Sequence, residues 1–245
     1  MNYRQYFARS EVLDEYANAI ESIGLWNAEK IPLLTYVPKT AKILDIGTGA
    51  GRVAFNLYRL GYNNITAIDF CSEILQEAIK YGLKTNANIR FLLYDITNTS
   101  NTQLREKFDA AIFSFNGLVL IKGERKRIKA IKNINNLLNR NGIFIFSTSN
   151  RRIDPNYDWF WEEELKKWKL NKQDKRISHF GEIIYKTEKG EFYFHHYRHE
   201  EMVELLVKHG FIVIEDFDVG DKYKETPEVL KFAGNSHMWV CKKIK

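Results

Sequence analysis

The segment Ile43-Leu44-Asp45-Ile46-Gly47-Thr48-Gly49-Ala50-Gly51-Arg52 constrains the fold more than any other stretch of the chain. Its first half is an apolar run of strand length, and residues 53–60 behind it carry apolar side chains at helical spacing. Three glycines at alternate positions therefore sit where a strand turns into a helix. In that context a glycine-rich motif has structural meaning, because the backbone can take positive φ and pass close to a ligand. A dinucleotide fingerprint needs a small residue at its sixth position for close packing of helix on strand. Arg52 stands there instead, so the spacing is GxGxG.

The remaining sequence repeats the alternation. Apolar runs at 65–69, 88–94, 108–114 and 142–148 are expected strands, with helical patterns at 72–81 and 124–139 between them. Ser72 is placed to cap the first of these helices. Strands apolar throughout imply parallel pairing with both faces covered, which is a doubly wound α/β fold. After Asn150 the rhythm changes. Residues 151–176 are rich in Trp and Lys, and 182–187 and 191–197 flank the turn Glu188-Lys189-Gly190 as a β-hairpin. A helix is expected at 200–209 and strands at 211–217 and 237–242, the last two joined without a helix and pairing antiparallel at the sheet edge. At 245 residues the chain suits one domain, 1–245, whose seven-stranded mostly parallel sheet carries 151–198 as an inserted hairpin-bearing cap.

Composition narrows the setting. Cys71 and Cys241 form no ligand-spaced pair, so neither a disulfide framework nor a zinc site is indicated, and a reducing compartment is expected. With no leader-like apolar segment and no run approaching the roughly 18 apolar residues of a membrane span, a cytoplasmic location is expected. The formal charge of +6 favours an anionic partner such as RNA or a phosphorylated metabolite, although a chain rich in Lys, Asn and Ile throughout acquires such a charge from composition alone.

Asp45, one apolar residue and then GxGxG resemble motif I of class I S-adenosylmethionine-dependent methyltransferases, and the likeness continues in order and spacing through Asn150. The resemblance implies S-adenosylmethionine as cofactor, S-adenosylhomocysteine as its product, and a Rossmann-like methyltransferase fold. Asp45, Gly47, Thr48 and Gly49 would hold the methionine end, where a carboxylate answers the cofactor's ammonium. Asp69, closing the second strand, would accept hydrogen bonds from the ribose hydroxyls. Phe70 and Ile74 would sandwich adenine, Asp95 would take its amino group, Ile96 would pack beside the ring, and Phe115 would border the methyl. Residues 1–30, with Tyr3, Tyr6 and Tyr16, resemble the aromatic helical lid of small-molecule members, Tyr6 and Tyr16 lying over the methionine end.

The acceptor crevice of a doubly wound sheet lies beyond the carboxyl ends of its strands. Here that is Ser114-Phe115-Asn116-Gly117, similar to the FNS or FNG stretch of small-molecule amine and hydroxyl methyltransferases. Neither a [DNS]PP[YFW] tetrapeptide nor a Pro-Cys dipeptide occurs, which speaks against methylation of exocyclic base amines and covalent methylation of cytosine. The expected acceptor is therefore the N or O of a small molecule, contacted by Asn116, Trp159 and Tyr185, with Trp161 and Phe192 as further aromatic walls. Methyl transfer is a direct displacement, so a base is needed only where the nucleophile holds its proton. His195, His196 and Tyr197 are the candidates; in a strand His195 shares a face with Tyr193 and Tyr197, and His196 with Phe194. No Asp, Glu or Cys completes a ligand spacing with His195, His196 and His199, so no metal is expected. Two alternatives stand beside this one. Residues 194–202 loosely resemble the His/Tyr-rich segment of wobble-uridine enzymes, and with the basic run at 122–127 they would suit tRNA; the same fold can also serve as a cofactor-binding sensor or partner subunit.

Overall fold

A computed structural model describes residues 3–98, 103–151, 158–187 and 190–245. In chain order the elements are α1 (Tyr3–Phe7), α2 (Ser10–Ser22), α3 (Asn27–Tyr36), β1 (Ile43–Ile46), α4 (Arg52–Arg59), β2 (Ile65–Asp69), α5 (Ser72–Thr85), β3 (Arg90–Leu93), β4 (Phe108–Phe113), α6 (Gly117–Leu120), α7 (Glu124–Leu137), β5 (Leu138–Ser149), α8 (Asp158–Lys169), β6 (Glu182–Thr187), β7 (Gly190–His195), α9 (His199–Lys208), β8 (Phe211–Asp218), α10 (Pro227–Ala233) and β9 (Ser236–Lys243).

Seven strands form one sheet in the order β3-β2-β1-β4-β5-β9-β8. The first five pair parallel, and β9 runs antiparallel between β5 and β8. The period of two along each strand divides its apolar residues between two cores. Leu44, Ile46, Phe144, Phe146, Trp239 and Cys241 join one. Ile43, Ile143, Ile145, Met238 and Val240 join the other. Both faces are thus covered, as the unbroken apolar runs imply. At about 25 cal/mol per Å² of apolar surface removed from water, this two-sided burial is the main stabilising term of the fold.

Three local expectations differ from the structure. β8 and β9 are joined through a helix, α10, whose Thr226 side chain accepts from the Val229 N–H and whose first helical residue is Pro227. Cys71, not Ser72, holds the N-cap position of α5, and Ser72 Oγ donates to Glu73 instead. α3 begins at Asn27, so a lid boundary at residue 30 cuts through a helix.

The hairpin β6–β7 forms its own two-stranded sheet, Thr187 opposite Gly190; Glu188 and Lys189 of the expected turn lie outside the described residues. A parallel bridge between Asn150 and Tyr197 joins it to the end of β5. No helix among the described residues is long and apolar enough to cross a membrane.

Candidate functional site

The topological switch of the sheet lies between β1 and β4, the strand pair from which the order runs outward in both directions, and ligands of doubly wound sheets bind there. The glycine loop leaves β1 at this point. Gly49 takes φ of +57°, and a Cβ there would stand 3.3 Å from the Tyr16 ring, so only glycine lets α2 come down onto the loop. Gly51, at φ +97°, would drive a Cβ into the Phe55 ring of α4. The loop is held by Asp69 at the end of β2: Gly49 N–H donates to its Oδ2 at 2.9 Å and Cys71 N–H to its Oδ1 at 2.9 Å.

A cavity of about 340 Å³ opens over this loop. Nine of the eleven residues expected to contact the cofactor line it: Tyr16, Gly47, Gly49, Asp69, Phe70, Ile74, Asp95, Ile96 and Phe115. Asp45 and Thr48 line a smaller adjoining hollow, where the Thr48 hydroxyl donates to Asp45 Oδ2 at 2.7 Å. Phe7 and Tyr16 close the cavity from above, meeting each other, Phe70 and Phe115 edge-on. Burial pushes the Asp45 carboxyl up to about 7, against the pull of the Thr48 hydroxyl and Arg52. It pushes Asp69 up to about 6, against the backbone N–H groups of Cys71, Gly49 and Phe70.

Arg52 explains why the glycine motif departs from the dinucleotide form. Its guanidinium pairs with Glu29 of α3 through both arms, at 2.8 and 2.6 Å, while also donating to Gly24 O and to Ser114 Oγ. Glu29 in turn accepts from Trp26 N–H and from Ser114 Oγ. The Glu29 side chain is fully buried. One ion pair thus ties the N-terminal helices to both the glycine loop and the end of β4. Sequence reasoning passed over Glu29, whose partner lies 23 residues away.

β4 ends in two consecutive non-glycine residues of left-handed backbone, Phe115 (φ +47°) and Asn116 (φ +60°), a conformation that persists only where surroundings enforce it. Phe115 stacks on Phe232 of α10 at 4.3 Å. Asn116 is fixed by its N–H to Ser147 Oγ at 2.7 Å and its Nδ2 to Ser236 Oγ at 2.9 Å. Its Oδ1 is buried and has no partner among the described residues.

The expected acceptor-side residues lie elsewhere: Asn116, Trp159, Tyr185, His195, His196 and Tyr197 are absent from the cavity wall. Tyr193 and Tyr197 do share a face, but it is turned onto Arg127 of α7, which is 1% exposed. Arg127 donates to both tyrosine hydroxyls and pairs with Glu182 of β6 at 3.1 Å. His195 is buried behind this cluster, and burial together with Arg127 and Arg151 holds its ring well below the usual imidazole range. His196 accepts or donates at both nitrogens, to Ser149 Oγ and Tyr185 Oη, and burial takes it down to about 3. Trp159 is 63% exposed on α8. The hairpin is therefore fastened to α7 by its own aromatic and charged residues, and Arg127 is withdrawn from the basic run at 122–127.

A family model described as a methyltransferase domain matches residues 38–240. The zebrafish (Danio rerio) protein named EEF1A lysine methyltransferase 2 is 32% identical over 122 residues, covering 46% of this chain and 50% of its own. The chain spans about half the length of the first curated relatives it matches. A SAM-dependent methyltransferase structure from Methanosarcina mazei superposes with a TM-score of 0.67 at 20% identity, covering 86% of this chain and 96% of that one. The Burkholderia thailandensis 1,6-didemethyltoxoflavin-N1-methyltransferase, solved with 1,6-didemethyltoxoflavin and S-adenosylhomocysteine bound, gives 0.62 at 15% identity, covering 99% and 89%. With strand order, glycine loop and family match in agreement, the chain belongs to the class I S-adenosylmethionine-dependent methyltransferase family.

Proposed function

We propose that the chain transfers a methyl group to a nitrogen or oxygen of a small molecule. The observation that carries this reading is the aromatic closure at the carboxyl end of β4, where Phe7 and Tyr16 meet each other, Phe70 and Phe115 edge-on next to the strained Phe115-Asn116 turn. Aromatic walls of this kind suit a small acceptor. The bound 1,6-didemethyltoxoflavin of the Burkholderia thailandensis relative supports the same reading.

The residues present fit S-adenosylmethionine. A Cβ at Gly49 would fill the cradle, Asp69 and Asp95 present carboxylates on the cavity wall, and Asp45 is a buried carboxylate on the adjoining hollow. Asp45 would meet the ammonium, Asp69 the ribose, and Asp95 with Ile96, Phe70 and Ile74 the adenine. When bound, the cofactor supplies an electrophilic methyl on a sulfonium. The protein's part is alignment and exclusion of water. Phe115 borders the methyl, Asn116 holds the turn that presents it through Ser147 and Ser236, α1 and α2 act as the lid, and residues 151–198 cap the acceptor side. The buried His195 and His196 position the hairpin and take no proton from the acceptor.

Incubating the chain with tritiated cofactor and, separately, a metabolite extract, total RNA or cytosolic protein is expected to label the metabolite fraction. Label confined to RNA or protein overturns the acceptor class. Cofactor binding with no label in any fraction favours the sensor reading.

A further inference from the structure

His199 finds in space the ligands it lacks in sequence. It opens α9 over the outer end of the sheet, where Asp216 and Asp218 of β8 face Trp239 and His237 of β9 in antiparallel register. His199 Nε2 lies 2.8 Å from Asp216 Oδ1, and His237 Nε2 lies 3.1 Å from the same oxygen. The other ring nitrogen of His237, Nδ1, is engaged by Asp218 Oδ1. His237 is 7% exposed at its side chain, whereas His199 and Asp216 reach solvent. Trp239 stacks on the His199 ring at 5.1 Å and is itself anchored by its indole N–H to Thr148 Oγ1.

The donor count at His237 does not close without a cation. A neutral imidazole carries one N–H, and with that proton on Nδ1 committed to Asp218, Nε2 presents a lone pair to a carboxylate oxygen. Two acceptors at 3.1 Å need a positive charge between them, supplied either by a second ring proton or by a metal ion. The arrangement suits the metal. Asp218 on the far nitrogen is the outer carboxylate that fixes tautomer and ring orientation in carboxylate–histidine–metal sites. The candidate ligand atoms lie within 4.8 Å of one another. Tetrahedral zinc, with bonds of about 2.0–2.1 Å, separates its ligand atoms by about 3.3 Å, so each imidazole nitrogen would move only a few tenths of an ångström from Asp216 Oδ1 to admit the ion, the two rings adjusting toward each other from within 4.8 Å.

We infer that His199, Asp216 and His237 form a three-ligand site for a divalent transition-metal ion, zinc by its two imidazoles and one carboxylate, with Asp218 orienting His237. Three protein ligands leave one coordination position for water or a substrate group. His237 pairs with Thr148, two residues before β5 gives way at Asn150, and Ser236 beside it holds Asn116, so the site lies on the carboxyl edge of the sheet that also carries the glycine loop.

The test is zinc titration by calorimetry of the full chain, freed of any affinity tag and dialysed against a chelator, with cobalt as a spectroscopic probe. Expected are one ion per chain, tetrahedral cobalt absorption, and quenching of tryptophan fluorescence by cobalt through Trp239. Asp218→Asn is expected to weaken binding by about 10–100-fold, the usual worth of an outer-shell partner. His237→Ala and His199→Ala should each weaken it by at least as much. His199 is partly exposed, so its variant keeps the test valid if the buried His237→Ala fails to fold. Binding unchanged in His199→Ala overturns the proposal. So does a wild-type chain that takes up no zinc, in which case a second proton alone bridges His237 to its two carboxylates.

Discussion

Asp69 does two jobs with one carboxylate: it clamps the glycine loop and the turn into α5 through Gly49 and Cys71, and it keeps lone pairs for a ligand in the cavity. Asp69→Ala is therefore expected to weaken S-adenosylhomocysteine binding by roughly 1.5–3 kcal/mol, the worth of hydrogen bonds to a charged group, as read by calorimetry. An unchanged affinity removes Asp69 from the site. Asp45 and Asp69 both add a pH dependence, and Asp45 has the larger shift. Its folded-state pKa, about 7, lies above the unfolded carboxyl value, so its contribution to stability is complete at low pH and is lost as pH rises through about 7. His195 and His196, whose values are depressed, act oppositely as pH falls, so the comparison must isolate Asp45. In thermal melts without ligand, the stability of Asp45→Asn relative to wild type is expected to grow from about pH 4 to about pH 7 and then level off. A difference independent of pH contradicts this. The site was legible here because each acid follows a strand at the spacing of the family's motifs. Asn116 read as a substrate contact, yet it stands off the cavity wall, and its φ of +60° was not legible, since nothing in Phe-Asn-Gly forces the backbone left-handed without Ser147 and Ser236.

Elements were read well where periodicity was long and local, and poorly where tertiary contacts set them. β1, β2, β4 and β5 were visible as apolar runs, whereas α10 is seven residues long and carries too little pattern to register. Yet α10 supplies Phe232, the ring against which Phe115 stacks. The same limit hid the fastening of the elements. Arg52–Glu29 and Arg127–Glu182 join partners 23 and 55 residues apart, and each charge is buried. Removing one member of a buried pair leaves the other uncompensated, which costs about 3–5 kcal/mol. Glu29→Ala is accordingly expected to lower the thermal midpoint by on the order of 10 °C, because Arg52 loses the carboxylate that both its arms engage. A midpoint within about 2 °C of wild type would show that this pair does not hold the N-terminal helices to the loop. The hairpin teaches the matching lesson for function: its His and Tyr residues read as catalytic because they are chemically capable, but Arg127 claims the hydroxyls and burial claims the imidazoles.

For the whole molecule, a parallel sheet with an antiparallel end places the glycine loop, the β4 turn and the β5–β9 edge along one rim, and every functional assignment depends on that rim. The fold class followed from the sequence because seven apolar runs and their order are one-dimensional information. The docking of residues 158–197 did not, because it depends on which side chains of α7 the hairpin meets. What remains decisive is whether the hollow over Gly47 and Gly49 takes a sulfonium nucleoside. Calorimetry of the full chain with S-adenosylhomocysteine and, in parallel, with a nicotinamide dinucleotide measures this directly: saturable heat at one ligand per chain is expected for the first and none for the second, and the reverse pattern would contradict the assignment of the cavity.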